Sequence, residues 1–387
     1  MSLENFMETD ADGVFYIGHS SALVRISKKL ILFDPVWNHK PYGDYWTFNP
    51  PQYDCDSIIG KVDHCIVSHI HEDHLCDRII SKLGVPVSIM SGRWPLTDRL
   101  SKIAFTHLHP ELEWVNLNED VQAFFVPHAF NSIDSSVFLR SKSYCVYLGS
   151  DNFLDSTMLE KLPNVKIDVA FVPYAFIHWY PHLMVNMTEE EKFLEANRLK
   201  KQSLDQAQMF VKKMRPRLTI PFGSSLFYAE GPDHILNRCV ADPEEFEGAT
   251  PMFAGDYIIS KGGAKFSDPS RSFKPRNFGP LFTDKVSITT HDLERLKRQV
   301  KNASFRVENH SIIVNGVVEV DTDALQVHLL TKAKVPYTQF DFDEDVFSDW
   351  IRGLITFEQA IGTRRFKCLR VPNVYNVKVF EFMNNFL

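Results

Sequence analysis

The six cysteines of this 387-residue chain form no recognisable pattern. Because there is no Cys-x-x-Cys pair and no spacing typical of a disulfide framework, we expect free thiols and a cytoplasmic protein. The start of the chain, MSLENFMETDADG, lacks the charged and then apolar pattern of a signal peptide. No uninterrupted apolar run approaches the length that crosses a bilayer. We therefore expect neither a secreted scaffold nor a transmembrane segment.

The chain also lacks an excess of basic residues. Its 42 Lys and Arg and 49 Asp and Glu give a formal net charge of -7, without long runs of one sign. A nucleic-acid-binding protein would need a basic patch, so we do not expect nucleic acid as a partner. Phenylalanine, in contrast, is abundant, with 31 copies in a hydrophobic fraction of 44%. This composition is sufficient for a large core.

Short apolar segments alternate with helical ones, which predicts an α/β fold. The segments GVFYIG, SALVRIS, KLILFDPV and CIVSH have the composition of strands. HLCDRIISKLG predicts a short helix that ends at Gly84. The longest helical segment begins after Thr188, which forms a capping box with Glu191 three residues later.

A change of composition near residue 280 predicts a domain boundary. Residues 261–282 are rich in Gly, Ser, Pro and Lys, which is typical of a linker or a long surface loop. We therefore predict a catalytic domain over residues 1–280 and a smaller α+β accessory unit over residues 281–387. The accessory unit contains no recognisable catalytic set. Covering the active site, forming a homo-oligomer and receiving a partner are all compatible with its sequence.

The segment SHIHEDHLCD places three histidines and three carboxylates directly after an apolar strand. His69 and His71 are two residues apart, so they share one face of the strand end. Asp73 and His74 lie in the turn before the next helix and can fold back toward that face. Imidazole and carboxylate are the usual ligands of zinc, iron and manganese. A polar loop with scattered histidines is the alternative, but four such residues at this spacing favour one or two divalent transition metal ions.

Two further residues with ligand side chains follow apolar strands downstream. His128 ends the strand in AFFVPHAF, and Asp151 ends the strand in VYLGSDN. Each is weak evidence alone, because a histidine at a strand end is more often structural. Together with the first motif, and in this order, they form a pattern.

This pattern resembles the metallo-β-lactamase superfamily, whose fold is a four-layer αβ/βα sandwich with a metal site at one edge. The segment YIGHSSALVRISKKLILFDPVWN resembles the start of the branch typified by ascorbate-6-phosphate lactonase and N-acyl-phosphatidylethanolamine phospholipase D. FVPYAFIHWYPHLM and RPRLTIPFGSSLFYAEGPDHI are similar to the catalytic region of CMP-N-acetylneuraminate hydroxylase. This last resemblance covers roughly residues 14 to 240.

The resemblance implies a ligand set for two metal positions. The first metal would be bound by His69, His71 and His128, and the second by Asp73 and His74, with Asp151 bridging the two. Asp34, in LFDPV, would accept a hydrogen bond from a ligand imidazole. His19 would lie at the rim of the site or behind it, and an ordinary turn histidine bonded to backbone is an equal alternative.

This sequence departs from the family pattern in two places. Most hydrolases of the superfamily supply a late histidine to the second metal, but the corresponding segment here is IPFGSS, with Phe222 and Gly223. The second position is therefore incomplete, or it uses His178 or His182. The chain also has no Rieske iron–sulfur module, which needs paired Cys and His ligands. The hydroxylase chemistry therefore does not carry over by itself.

The leading functional prediction is a metal-dependent hydrolase. A bound metal lowers the pKa of water toward neutrality, and Asp73, with His19 as a second catalytic candidate, could take its proton. The substrate would be a small molecule with an ester, lactone, amide or phosphodiester bond, with phosphorylated and sugar-containing compounds among the candidates. An iron-dependent oxygenase acting on a sugar or nucleotide-sugar, with electrons from a separate protein, is the main alternative. A non-catalytic binding platform is the third.

Aromatic and basic residues in two segments could form the walls of a substrate site. Aromatic rings could stack on a base, a sugar or an acyl chain, and an arginine could bind a phosphate or a carboxylate. For the aromatic residues, packing of loops onto the sandwich is the alternative. The predicted substrate-binding residues are Trp46, Arg93, Tyr174, His178, Trp179 and His182.

Overall fold

The computed structural model describes residues 1–91, 106–129, 134–231, 234–260, 263–267, 288–303 and 305–384. The chain divides into two compact units. Unit 1 comprises Met1–Pro41, Trp46–Ile177 and Asn197–Pro275, and unit 2 comprises Tyr42–Tyr45, His178–Ala196 and Arg276–Leu387. The boundary predicted near residue 280 and most of the predicted linker lie outside the described residues. A catalytic domain over residues 1–280 therefore stays a prediction.

The first sheet of unit 1 is mixed and has eight strands among the described residues. Their spatial order is β16 (Gly263–Lys265), β15 (Tyr257–Ile259), β1 (Gly13–Gly18), β2 (Ser21–Ile26), β3 (Lys29–Phe33), β5 (His64–Ile66), β6 (Val87–Met90) and β7 (Thr106–His109). The strands from β16 to β3 pair antiparallel. The strands from β3 to β7 pair parallel, so their carboxyl ends meet at one edge.

The second sheet of unit 1 has six strands in the part of the chain that the structure describes. Their spatial order is β13 (Leu218–Phe222), β12 (Val169–Pro173), β11 (Cys145–Leu148), β10 (Ser135–Arg140), β9 (Gln122–Pro127) and β8 (Trp114–Asn116). Strands β11, β12 and β13 pair parallel. A separate short ribbon pairs β14 (Leu226–Tyr228) with β4 (Trp46–Phe48).

Alternating side chains along these strands build three apolar layers. Tyr16 of β1 faces a core between the two sheets, where it approaches Phe171 and Phe222 of the second sheet. Phe15, its neighbour, points to the opposite face, because successive side chains of a strand alternate. The outer face of the second sheet contributes Phe138 to a third layer.

Helices cover both outer faces of the sheets. The helices that the structure describes in unit 1, or partly in it, are α1 (Leu3–Glu8), α2 (Asp77–Leu83), α3 (Ser156–Lys161), α4 (Glu189–Met214) and α5 (Ile235–Arg238). Helices α1 and α2 pack on the first sheet, and α3 and α4 pack on the second. The order helix, sheet, sheet, helix is the four-layer αβ/βα sandwich predicted from the sequence, which is confirmed.

Local signals explain where two of these helices begin and end. Thr188 Oγ1 accepts a hydrogen bond from Glu191 N at 3.2 Å, and the Glu191 carboxylate accepts from Thr188 N at 2.7 Å, so the predicted capping box starts α4. Helix α2 ends at Gly84, whose φ of 65° is left-handed and favours glycine.

Unit 2 is an α+β unit, as expected. Its sheet has the spatial order β19 (Gln326–Leu329), β18 (Val318–Asp321), β17 (Ser311–Val314), β20 (Tyr337–Phe342) and β21 (Phe366–Val371). Its further helices are α6 (Thr290–Lys301), α7 (Glu344–Arg352), α8 (Phe357–Gly362) and α9 (Val377–Asn384). Helix α7 ends at Gly353, which is left-handed at φ 78°, and Thr356 caps the start of α8.

No described helix is both long and apolar enough to cross a membrane.

Candidate metal centre

Ligand-type side chains follow four strands of the sandwich. Asp34 comes directly after β3, and the segment from Ser68 to His74 follows β5. In the second sheet, His128 comes directly after β9 and Asp151 follows β11. A residue that directly follows a strand has its backbone positioned by the hydrogen-bonded sheet, so its side chain is held in place more firmly than one in a long loop.

The structure brings seven side chains, five of them from these strand ends, into overlapping groups of three, with ligand atoms within 4.8 Å of one another. The groups are His19, Asp73 and His74; His69, His74 and Asp151; and His69, His71 and Asp134. The first and second groups share His74, and the second and third share His69, so the three groups form one continuous cluster. Each group has side chains of the types that could hold a metal ion.

One end of the cluster is formed by His69, His71 and Asp134. His69 is buried, and its Nε2 lies 2.6 Å from Nδ1 of His71 and 3.6 Å from Oδ1 of Asp134. The other ring nitrogen of His69 is 2.9 Å from the Ser68 hydroxyl. This contact orients the imidazole so that Nε2 faces the cluster.

Asp34 organises the centre of the cluster from behind. It is fully buried, and its Oδ1 accepts a hydrogen bond from Ser68 N at 2.7 Å. Its Oδ2 accepts from the hydroxyls of Ser68 and Ser150 at 2.7 and 3.0 Å. The same Oδ2 lies 2.8 Å from Nδ1 of His74. A carboxylate in this position holds Nδ1 of His74 as the protonated nitrogen and leaves Nε2 as the ligand atom.

The Nε2 atom of His74 is the clearest sign of a cation. It is buried and has no hydrogen-bond partner among the described residues. It lies 3.3 Å from Oδ2 of Asp151 and 3.5 Å from Oδ2 of Asp73. A ring nitrogen and two carboxylates that converge on one point are ligand types that fit a divalent transition metal.

His19 occupies the other end of the cluster. It has a left-handed φ of 51° in the turn between β1 and β2, and its side chain is almost fully buried. Its Nε2 lies 3.2 Å from Oδ2 of Asp73. The sequence predicts this histidine only at the rim of the site or behind it, because a turn residue gives no periodic signal.

Glycine stands where the family pattern would place the late histidine. Gly223 has a left-handed φ of 76°, and its N–H donates to the carbonyl oxygen of His19 at 3.1 Å. A Cβ at this position would lie 3.4 Å from Oδ1 of Asp151. This is an ordinary van der Waals distance, so the left-handed backbone and not a clash favours glycine here. The imidazole that approaches Asp73 comes from His19.

Burial and charge set the protonation states of the cluster. Burial, together with His74 and His71, lowers the pKa of His69 well below its usual value, which leaves a neutral imidazole. Burial alone would raise the pKa of Asp73, but His74 and His19 lower it well below its usual range. Burial opposes a charge on His74, yet Asp151 and Asp73 raise its pKa well above the usual value. In a cation's absence, a proton on His74 offsets the two carboxylates.

The remaining predicted ligand, His128, belongs to none of the three groups. Its backbone N–H donates to the carbonyl oxygen of Asp134 at 2.9 Å, and burial lowers its pKa. Its role as a ligand stays a prediction. Asp134 is the residue that sequence reasoning missed. It immediately precedes β10, and an acidic residue before a strand is a weak signal on its own.

The predicted substrate-binding residues have different environments. Trp46 is buried against Tyr228, and Tyr174 is buried in a stack with Phe246. In unit 2, Trp179 is buried against Phe366 and other aromatic rings. His178 and His182 also belong to unit 2, and Arg93 lies outside the described residues. Contact of these six residues with a substrate stays a prediction.

A cavity of about 520 Å³ in unit 1 reaches the His19 end of the cluster. Its lining includes His19, Gly223, Asn49, Tyr174, Lys200 and Arg238. Asn49 is largely buried, and its side-chain oxygen has no hydrogen-bond partner within the described ranges. The cavity therefore combines one member of the cluster with polar groups that could orient a small molecule.

No family model matches the chain. It is 24% identical over 239 residues to the UPF0173 protein of Pyrococcus furiosus, an alignment that covers 60% of this chain and 88% of that protein. It is 21% identical over 244 residues to a Mycolicibacterium smegmatis protein that is by name a Rieske 2Fe-2S iron-sulfur protein. That alignment covers 59% of this chain and only 46% of the relative, so the chain spans about half of its length.

Two solved structures illustrate the structural likenesses. Igni18, a metallo hydrolase from Ignicoccus hospitalis, is 18% identical with a TM-score of 0.43, over 65% of this chain and 100% of that chain. CmlA, a diiron β-hydroxylase from Streptomyces venezuelae, is 16% identical with a TM-score of 0.44, over 65% of this chain and 54% of that chain. Since both TM-scores are below 0.5, the functional assignment has to come from this chain's own residues.

Proposed function

We propose that this chain is a metal-dependent hydrolase of the metallo-β-lactamase superfamily, which cleaves an ester, lactone, amide or phosphodiester bond with a metal-activated water. The observation that carries the proposal is the buried Nε2 atom of His74. It faces two carboxylates and has no hydrogen-bond partner among the described residues. Such a donor set is costly to bury without a cation.

The three groups of side chains suggest how two cations would be held. His69 and His71 would bind the first, with Asp134 or His128 as a further ligand. Asp73 and His74 would bind the second, with His19 in place of the late histidine that the family pattern has. Asp151 lies close to His74 and shares a group with His69, so it would bridge the two positions.

A bound divalent metal would supply a Lewis acid and a water whose pKa is lowered toward neutrality. The residues of the chain supply orientation and proton transfer. Asp34 fixes the imidazole of His74 through Nδ1. Asp73 is held as a carboxylate by its basic neighbours, so it is ionised as a metal ligand needs to be, and it could accept a proton from a metal-bound water only transiently because its lowered pKa makes it a weak base. His19 contacts Asp73 through Nε2 and also lines the cavity, which places it between the cluster and a substrate.

The cavity next to His19 favours a small-molecule substrate. Its volume of about 520 Å³ is within the range of small-molecule sites. Lys200 and Arg238 in its lining suit a substrate with an anionic group, although Lys200 also forms an ion pair with Glu245 at 2.7 Å. A phosphorylated or acidic sugar derivative has this chemistry. The turn that carries His19 and the Asp34 position support the lactonase and phospholipase D branch.

An iron-dependent oxygenase is the second candidate function. It is favoured by the resemblance to the hydroxylase catalytic region and by the likeness to a protein with a Rieske name. These 387 residues contain no paired Cys and His ligands of a Rieske module, and in this alternative a separate protein supplies the electrons. The same cluster of imidazoles and carboxylates could bind iron.

Metal analysis combined with two activity assays separates these functions. The protein is purified without chelators, and its zinc, manganese and iron contents are measured. It is then tested for hydrolysis of lactones, phosphodiesters and nucleotide sugars, and for oxygen consumption with an added electron donor. Zinc or manganese with hydrolysis supports the proposal. Iron with oxygen consumption that depends on the electron donor would replace it with the second candidate.

A further inference from the structure

A second group of histidines in unit 1 contains none of the residues of the candidate metal centre. His107 and His109 lie two residues apart in β7, the last strand of the first sheet among the described residues. Side chains at this spacing point to the same face of a strand. The two ring planes are nearly parallel, at 19°, and the ring centres are 6.3 Å apart. Because His107 is exposed and His109 is half-buried, solvent reaches this pair of imidazoles.

A buried serine links the pair to a third histidine. Ser88, in β6, is fully buried, and its hydroxyl oxygen lies 2.7 Å from Nε2 of His109 and 2.7 Å from Nε2 of His64. A hydroxyl has one proton, so it donates to one of these imidazoles and accepts from the other. The ring of His109 also stacks on Phe125, with the ring centres 5.2 Å apart. These contacts hold the ring of His109 in one orientation.

Burial favours the neutral form of two of these imidazoles. Burial, with His107 and His109, lowers the pKa of His64 to about 4. Burial, with His107, also lowers the pKa of His109. Asp63 acts in the opposite direction on His64, but its carboxylate accepts a hydrogen bond from Lys29 Nζ at 2.9 Å. A neutral imidazole offers a lone pair to a metal ion.

The hydrogen-bonded chain has one direction that suits a metal ligand. In this direction Nε2–H of His109 donates to the Ser88 oxygen, and the Ser88 hydroxyl donates to Nε2 of His64. The lone pair of His109 is then on Nδ1. Ligand histidines usually donate their other ring N–H to a neighbouring group, which fixes the tautomer and the ring orientation. Ser88 is placed to accept this hydrogen bond from His109.

We propose that His107 and His109 bind one divalent transition metal ion, with Ser88 positioning the ring of His109 and water completing the coordination. Imidazole suits zinc, copper and nickel. Zinc binds a ring nitrogen at about 2.0–2.1 Å. Two rings whose centres are 6.3 Å apart can therefore approach one ion after small side-chain rotations. The chain supplies only two ligands here, so we expect weaker binding than at the candidate metal centre. The site does not depend on the proposed hydrolysis, because the two share no residue.

Counting the bound Zn²⁺ at equilibrium tests the site. The full chain is purified without chelators and dialysed against a series of free Zn²⁺ concentrations, and the zinc in the protein is measured. At saturation we expect the wild type to bind one ion more than His107→Gln and one ion more than His109→Gln. This difference stays one ion even if the candidate metal centre binds no zinc, so the two proposals can fail separately.

A matched control separates the site from zinc bound by any surface histidine. His291 is an exposed histidine of helix α6, and His291→Gln should bind as much zinc as the wild type. Equal zinc counts for the wild type, His107→Gln and His109→Gln would overturn the proposal. If His109→Gln does not fold, His107→Gln decides alone, since it changes an exposed side chain.

The positioning role of Ser88 has its own readout. Loss of a group that orients a ligand imidazole typically weakens metal binding about 10–100-fold. We expect Ser88→Ala to raise the apparent Kd of the weaker site by a factor in this range and to leave the tighter sites unchanged. Ser203→Ala is the control, because Ser203 is also buried in unit 1 and its hydroxyl donates to the carbonyl oxygen of Leu199 at 3.0 Å. The same Kd in Ser88→Ala and Ser203→Ala would contradict the role of Ser88.

Discussion

Replacing Asp34 by Asn tests how the cluster orients its ligands. The Asp34 carboxylate accepts hydrogen bonds from Ser68 and Ser150 and faces Nδ1 of His74, all within 2.7–3.0 Å. Asn keeps the size of the side chain, but its NH2 group replaces a carboxylate oxygen and would face hydrogen-bond donors that it cannot accept from. The variant therefore removes the charge that holds Nε2 of His74 as the ligand atom.

The expected magnitude follows from the number and type of these contacts. Hydrogen bonds to a charged group contribute about 1.5–3 kcal/mol each, and an isosteric replacement loses only part of this. Loss of a carboxylate that orients a ligand imidazole typically weakens metal binding about 10–100-fold. That range corresponds to about 1.4–2.7 kcal/mol of binding free energy. We expect Asp34→Asn to show a loss of metal affinity of this size.

Competition of Zn²⁺ between the protein and a chelating dye measures this loss. Asp256→Asn is the matched control, because Asp256 is also fully buried in unit 1 and accepts hydrogen bonds from Phe253 N and from the backbone and hydroxyl of Ser267. Both variants should lower the Tm of the metal-free protein, but only Asp34→Asn should weaken metal binding. Equal metal affinities of Asp34→Asn and the wild type would refute the role of Asp34.

Three further predictions concern the metal, the missing histidine and a second buried histidine. Removal of metal by a chelator should lower the Tm, since a ligand of the folded state stabilises it, and an unchanged Tm would mean that the site holds no metal. Gly223→Ala should reduce metal content more than Gly248→Ala, because both glycines have φ near 75° but only the Cβ at Gly223 would lie beside a carboxylate oxygen of Asp151. Equal metal contents would show that the position beside Asp151 has no effect. Burial, His107 and His109 lower the pKa of His64 to about 4, so the stability it contributes should be present above about pH 6.5 and lost as the pH falls toward 4. His64→Gln should flatten the dependence of Tm on pH in this window, and a parallel shift at every pH would contradict this reasoning.

The local patterns of the sequence were sufficient to predict an α/β fold, and the resemblance to the metallo-β-lactamase superfamily implied the sandwich. Its strands carry continuous or alternating apolar residues, and the cluster after β5 is contiguous in the sequence, so both are visible without knowledge of the fold. Asp134 was missed because it approaches His69 only through the pairing of strands far apart in the chain. His19 was placed less closely than the structure has it, because a turn of positive φ decides where its side chain points.

Which segments of the chain make up unit 2 could not be predicted either, because this also depends on contacts between residues far apart in the sequence. Unit 2 includes two segments that contact residues more than a hundred positions away in the sequence, namely Tyr42–Tyr45 and His178–Ala196. Aromatic side chains such as Trp179 raise a related difficulty, because an aromatic residue in a loop suits a core as well as a binding wall. Burial of Trp179 against Phe366 is a property of tertiary packing and leaves no local signal.

Diffraction from crystals of the metal-loaded protein, recorded on both sides of the absorption edge of the bound metal, tests the central claim most directly. We expect anomalous peaks at coordination distance from Nε2 of His74 and from His69 and His71, with Asp151 near both positions. A protein that contains metal but shows no anomalous peak at this cluster would contradict the account.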